Sequence, residues 1–155
     1  MSQPRIRVVG LGPGPVDLLT ARTKQLLDSA TTARLRTREH PAASIFKNVE
    51  TYDSWYEKAD SFESLYVAIV EDLVALAKVD SNHEVVYAVP GSPIVAEHTT
   101  ELLLERQDIG VVIEPAVSVI DVACAQLGRD PMAVGLRIVD ALGSMEPFRG
   151  PGPRS

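Results

Sequence analysis

The apolar residues of this chain fall into short strand-like runs that alternate with helical repeats. A short β-branched run over residues 6–9 predicts a buried strand, and from Leu18 the spacing turns helical. That helix is expected over residues 17–30, with Asp17 as its N-cap and Leu18, Leu19, Leu26 and Leu27 on one face. Residues 32–36 read as a second strand, 41–48 as a small helix or turn, and 49–52 as a weak third strand. Residues 53–60 form a polar loop holding Trp55 and Tyr56, either a lid over a pocket or a cover for a sheet edge. Phe62, Leu65, Tyr66, Ile69, Leu73, Leu76 and Ala77 then recur at helical spacing, with Glu63, Glu71 and Asp72 on the wet face. The most continuous strand is 84–89; a helix over 94–106 follows it, then a strand over 110–113 and a helix that ends near Leu127 and Gly128. A last strand is expected at 136–141. The order βαβα with short connections predicts an α/β fold in three layers: a mostly parallel sheet of about five strands with helices on both faces. One domain over residues 1–142 is expected, with a disordered Pro/Gly-rich tail over 143–155.

The punctuation between strand and helix is where chemistry is expected. Gly10, Gly12 and Gly14 follow the first strand, and Pro90-Gly91-Ser92-Pro93 follows the fourth. Two such loops at the ends of parallel strands belong on one sheet edge and are placed to share one ligand. Pro13 and Pro15 remove backbone donors, which disfavours a phosphate cradle, and the spacing does not meet GxGxxG. The loop suits a flat or uncharged part of a ligand, or else is a tight turn without one. The polar stretch Thr37-Arg38-Glu39-His40 ends the second strand and is either a site or a solvated loop. Ser118 reads as a helix cap.

Composition narrows the classes. The chain has 155 residues and a formal net charge of −6, which disfavours nonspecific nucleic-acid or membrane-surface binding. No apolar run approaches the roughly 20 residues of a membrane span, and the N-terminus lacks a signal pattern. The single cysteine, Cys124, reads as a small core residue and excludes an internal disulfide, consistent with a cytoplasmic protein. His40, His83 and His98 lie far apart, so no metal site is expected.

Four stretches carry a family resemblance: Gly10-Leu11-Gly12-Pro13-Gly14 with Leu18-Leu19-Thr20; Leu35-Arg36-Thr37-Arg38-Glu39-His40-Pro41; Tyr87-Ala88-Val89-Pro90-Gly91-Ser92-Pro93 with Val95-Ala96-Glu97; and Pro115-Ala116-Val117-Ser118. Together they resemble the tetrapyrrole (corrin/porphyrin) methylases, in the branch found fused ahead of MazG-type nucleotide pyrophosphohydrolases. The resemblance implies a methyltransferase that uses S-adenosylmethionine, and this chain resembles the first of the family's two lobes. By the same resemblance the donor would lie against Gly12, Pro13, Gly14, Pro90, Gly91, Ser92, Val117 and Ser118. Thr37, Arg38, Glu39 and His40 would line the side of a small-molecule methyl acceptor, with Asp17 or His40 moving a proton. A homodimer is expected to cover the open cleft. Pro15 stands where many members carry Asp, and Ser92 where tetrapyrrole-specific enzymes carry an acid, so a uroporphyrinogen-type acceptor is disfavoured. The alternative is a binding or regulatory module that keeps the fold without the chemistry.

Overall fold

The computed structural model describes residues 2–140. Strands β1 (Arg5–Gly10), β2 (Thr32–Leu35), β3 (Glu50–Thr51), β4 (Val85–Val89) and β5 (Gly110–Ile113) form one sheet in the order β3-β2-β4-β1-β5. Every strand pairing is parallel, so each strand before β5 is followed by a crossover that returns the chain to the starting edge. The helices are α1 (Ala21–Ser29), α2 (Asp53–Lys58), α3 (Phe62–Val79), α4 (His98–Leu104), α5 (Val119–Leu127) and α6 (Pro131–Val134).

Period-two alternation divides each central strand between two cores. Ile6 and Val8 of β1, with Val85, Tyr87 and Val89 of β4, face Leu65, Ile69, Leu73 and Ala77 of α3 and Leu103 of α4. Val9 and Leu11, with Val86 and Ala88, face Leu27 of α1 and the 3-10 turn Pro41–Ile45 that brings in Ala42 and Ala43. Strands β1 and β4 are thus covered on both sides, as the continuous apolar run of β4 requires. The expected three-layer architecture is present. Each large side chain on the inner face of α3 contributes about 1.5–3 kcal/mol through burial.

Several elements differ from expectation for local reasons. Asp17 is not a helix cap: it sits exposed in a separate 3-10 turn, Val16–Leu18. Helix α1 starts later, capped by Thr20, whose hydroxyl accepts from the backbone N–H of Thr23 at 3.1 Å. Residues 53–58 are helix rather than loop, and Trp55 packs edge-on against Tyr52 with ring centroids 4.9 Å apart. Helix α4 begins at His98 because Pro93 and a left-handed Ala96 (φ 54°) keep the preceding segment irregular. Phe62, expected inside, is exposed on the first turn of α3, and Asp72 is not merely wet, since it accepts from the Tyr52 hydroxyl at 2.7 Å. Cys124 is half-exposed because α5 buries none of its side chains. Residues 136–140 are irregular; the rest of the strand expected there, the end of the domain at residue 142 and the 143–155 tail lie outside the described residues. No helix among the described residues is long and apolar enough to cross a membrane.

Candidate functional site

The carboxyl ends of β1, β4 and β5 converge on a patch of small residues. Gly12 and Gly91 exchange two backbone hydrogen bonds, Gly12 N to Gly91 O at 3.1 Å and Gly91 N to Gly12 O at 2.8 Å. The two glycine loops are therefore stitched into one ledge. Both glycines sit at positive φ, 79° and 66°, where a Cβ is strained. A Cβ on Gly10 would lie 2.3 Å from Gly91 O, 2.6 Å from Ala116 Cβ and 2.9 Å from Pro93 Cδ. Only glycine lets the loops after β1, β4 and β5 meet at this point. Pro13, Gly14, Pro90, Gly91 and Val117 are half-buried and Ser92 and Ser118 buried, while the space beyond Gly91 and Gly14 is open. Ser118 caps α5, accepting from Ile120 N–H at 3.2 Å. The expected pairing of the two loops is present, and the β5 loop joins them.

The loop over residues 37–40 is tied to the same ledge. Ala42 N–H donates to His40 Nδ1 at 3.1 Å, so the ring proton sits on Nε2, which donates to Gly12 O at 2.9 Å. With both ring nitrogens engaged, His40 holds two loops together. Arg38 is likewise turned onto its own loop, donating to Phe46 O at 3.1 Å and to Val49 O. Thr37 accepts from Glu39 N–H at 3.0 Å and bonds the Asp53 carboxylate. Burial alone would raise the Asp53 carboxyl, but hydrogen bonds from Thr37, the Arg38 backbone and Thr51 outweigh it and hold the group below its ordinary value. Of this loop's expected acceptor contacts, Glu39 alone is exposed.

Two residues given no role in the sequence-based expectation stand beside this loop. Arg36 Nη1 lies 3.2 Å from Glu97 Oε2, and Glu97 Oε1 accepts from the Thr99 hydroxyl at 2.7 Å. Thr99 in turn lies 3.2 Å from the Tyr87 hydroxyl, whose acidity is suppressed first by burial and then by the Glu97 charge. A charged residue at a helix start looks solvated in sequence; only the left-handed turn at Ala96 reveals that Glu97 is carried inward.

On the far side, Glu114 anchors the β5 loop. Arg22 grips it with Nε at 2.8 Å and Nη2 at 3.0 Å, and Arg7 reaches it from β1 while also holding Glu84 at 2.7 Å. Val16, Ile45, Phe62, Ile94 and Val119 are among the exposed apolar side chains of the described residues. Among the described residues no group of three His, Cys, Asp or Glu side chains is arranged to hold a metal.

Residues 5–144 match the family model of the tetrapyrrole (corrin/porphyrin) methylases. The chain belongs to that family. It is 40% identical over 144 residues to the uncharacterized protein YabN of Bacillus subtilis, covering 88% of this chain but 29% of YabN. Among solved structures it is similar to the cobalamin-biosynthesis precorrin-6Y methylase of Archaeoglobus fulgidus (TM-score 0.60, 24% identity, 83% of this chain and 60% of that one). It is also similar to a uroporphyrin-III C-methyltransferase of Thermus thermophilus complexed with S-adenosyl homocysteine (TM-score 0.55, 21% identity, 77% of this chain and 51% of that one). This methylase-family chain thus spans about half to three-fifths of those structures and under a third of YabN.

Proposed function

We propose that this chain binds S-adenosylmethionine on the ledge formed by Gly12, Pro13, Gly14, Pro90, Gly91, Ser92, Val117 and Ser118, and acts as a methyltransferase toward a small-molecule acceptor. One observation carries the reading: the reciprocal Gly12–Gly91 bridge, with Gly10 packed against Ala116, makes a single flat surface poor in side chains. Such a surface admits an adenosyl ligand close to backbone. When bound, the donor supplies an electrophilic sulfonium methyl. The protein's part is to hold that methyl in line with the acceptor and exclude water. The loop of Thr37, Arg38, Glu39 and His40 then shapes the acceptor side, with His40 fixing its distance from the donor ledge. Asp17, exposed in the turn after Pro15, is the group of this reading that takes a proton.

Calorimetric titration with S-adenosylhomocysteine tests the donor half, with ATP and NAD as controls. Micromolar binding selective for S-adenosylhomocysteine is expected, and at least tenfold weaker binding after Gly91→Trp, which fills the open space beyond the ledge. Equal response to all three ligands, or to none, would sink the donor assignment. Binding without transfer to any acceptor would favour the alternative, a regulatory module that keeps the donor site.

The same reading includes a cytoplasmic homodimer, and relatives in which the domain precedes a MazG-type pyrophosphohydrolase. The Arg36-Thr37-Arg38-Glu39-His40-Pro41 stretch supports the latter resemblance. Exposed apolar side chains, Val16, Ile45, Phe62, Ile94 and Val119 among them, support pairing, since their contact with water is unfavourable. Light scattering is expected to give twice the monomer mass; a monodisperse monomer at micromolar concentration would refute the dimer.

A further inference from the structure

Strands β1, β2 and β4 have a neighbour on each side, but β5 is an edge, paired with β1 alone. Gly110 N–H donates to Pro4 O at 2.8 Å, and Glu114 N–H donates to Val8 O at 2.9 Å. Alternate residues of a strand turn their backbone groups to opposite sides, so Gly110, Val112 and Glu114 face β1. The N–H and C=O of Val111 and Ile113 therefore point away from the sheet, and among the described residues nothing bonds them.

Proteins blunt such edges with charge, with proline or by cutting the strand short. The opposite edge is treated in that way: β3 is two residues long, and its Glu50 is paired with Arg34. Between Gly110 and Ile113 there is neither charge nor proline, and Val112 is 37% exposed. Helix α5, which follows, buries none of its side chains.

The strip is its own complement. A half-turn of a second copy about an axis through Val112 sets Val111 opposite Ile113 of that copy, and Ile113 opposite its Val111. These become the hydrogen-bonded pairs of an antiparallel ladder, and the outward N–H and C=O groups of both strips are all used. Val112 meets Val112 of the second copy in the non-hydrogen-bonded position, with Cα atoms about 4.5 Å apart and the exposed side chains covering each other. Charge permits the approach. A chain of net charge −6 repels its copy over most of its surface, whereas this strip is neutral. The adjoining carboxylate, Glu114, is held by Arg7 and Arg22 and falls opposite Gly110 of the second copy, which has no side chain.

We propose that two copies of this chain associate through the outer edge of β5, antiparallel about Val112, so that two sheets become one. The proposal rests on the homodimer part of the reading above and supplies its interface. Because the strands run in opposite directions across the join, the two glycine ledges face opposite ways and neither covers the other.

The test uses the full chain. Sedimentation velocity at micromolar concentration is expected to show a dimer for the parent and at least tenfold weaker association for Val111→Pro. That substitution removes an outward N–H that β1 does not use, so the far-UV circular dichroism spectrum is expected to stay unchanged. Cysteines read the register. In a Cys124→Ser background, Val112→Cys is expected to form a disulfide between copies under mild oxidation, since its Cα separation lies within disulfide range. Val111→Cys, about 9 Å from its equivalent in this register, is expected to crosslink at least fivefold less. If Val111→Pro fails to fold, the two cysteine variants decide alone. A parent dimer that Val111→Pro leaves intact, or that crosslinks as well through residue 111 as through 112, overturns the β5 edge while leaving the homodimer standing. A monomeric parent overturns both.

Discussion

Gly10→Ala is expected to destabilise the protein by about 2–3 kcal/mol and to weaken S-adenosylhomocysteine binding at least tenfold. The added methyl would meet a carbonyl oxygen at 2.3 Å, a second Cβ at 2.6 Å and a proline ring carbon at 2.9 Å. None of these is the loose end of a flexible side chain. Gly91 O is itself the acceptor of the Gly12 N–H, so relieving the clash stretches the bridge that joins the ledge. Ala116 belongs to the β5 loop and Pro93 to the β4 loop, so the strain spreads to both. Gly14→Ala is the control. Its Cβ meets nothing within 4 Å, and its stability should stay within about 0.5 kcal/mol of the parent. Urea denaturation and calorimetry on the two variants give the comparison. Equal stability of the two would mean that the convergence of the loops is not held at Gly10.

Glu114→Gln is expected to lower stability by about 2 kcal/mol at neutral pH, and the difference should shrink in acid. Removing this carboxylate leaves Arg7 and Arg22 facing a group that no longer carries charge. The figure stays modest because the Arg22 side chain is 60% exposed and can rehydrate, while Arg7 keeps Glu84. Hydrogen bonding from Arg22 holds the Glu114 carboxyl below its ordinary value, against burial and with help from Arg7. A carboxyl depressed in the folded state contributes its full stability above the unfolded value, about 4.3, and loses it as pH falls through the lower folded value. The gap between parent and Glu114→Gln in urea midpoints should therefore be constant above about pH 5 and narrow below about pH 4. A gap that does not change with pH would show that the carboxylate charge is not what holds the loop.

Legibility in the sequence tracks the range of the interactions involved. Strands β1, β4 and β5 are short β-branched or apolar runs and helix α3 repeats apolar residues at helical spacing, and they were legible. The pairing of the Gly12 and Gly91 loops was legible too, because parallel strands that both end in Pro/Gly turns must deliver those turns to one edge. Helix α2 was not, since six polar and aromatic residues are too few to display a 3.6-residue period. The start of α1 was misplaced because Asp17 and Thr20 are both good caps, and the 3-10 turn that separates them has no signature of its own. The roles of Arg38 and His40 were hidden for another reason. Each is defined by a backbone carbonyl brought in by folding, Val49 and Phe46 for one and Gly12 for the other. Arg36 and Glu97 are 61 positions apart (97 − 36), and nothing local marks them as partners.

The position of β1 in the sheet also governs how the chain can be made. Of the five strands, β1 comes first in chain order yet lies inside the sheet, flanked by β4 and β5, so Ile6 waits for Val85 on one side and Val111 on the other. Its natural neighbours in synthesis, β2 and β3, pair with each other and β2 with β4, but neither pairs with β1. β1 therefore has no pairing partner in the sheet until β4 has emerged. Folding of this kind, dominated by distant pairings, is slow for its size and leaves strand Arg5–Gly10 unpaired until β4 has been made.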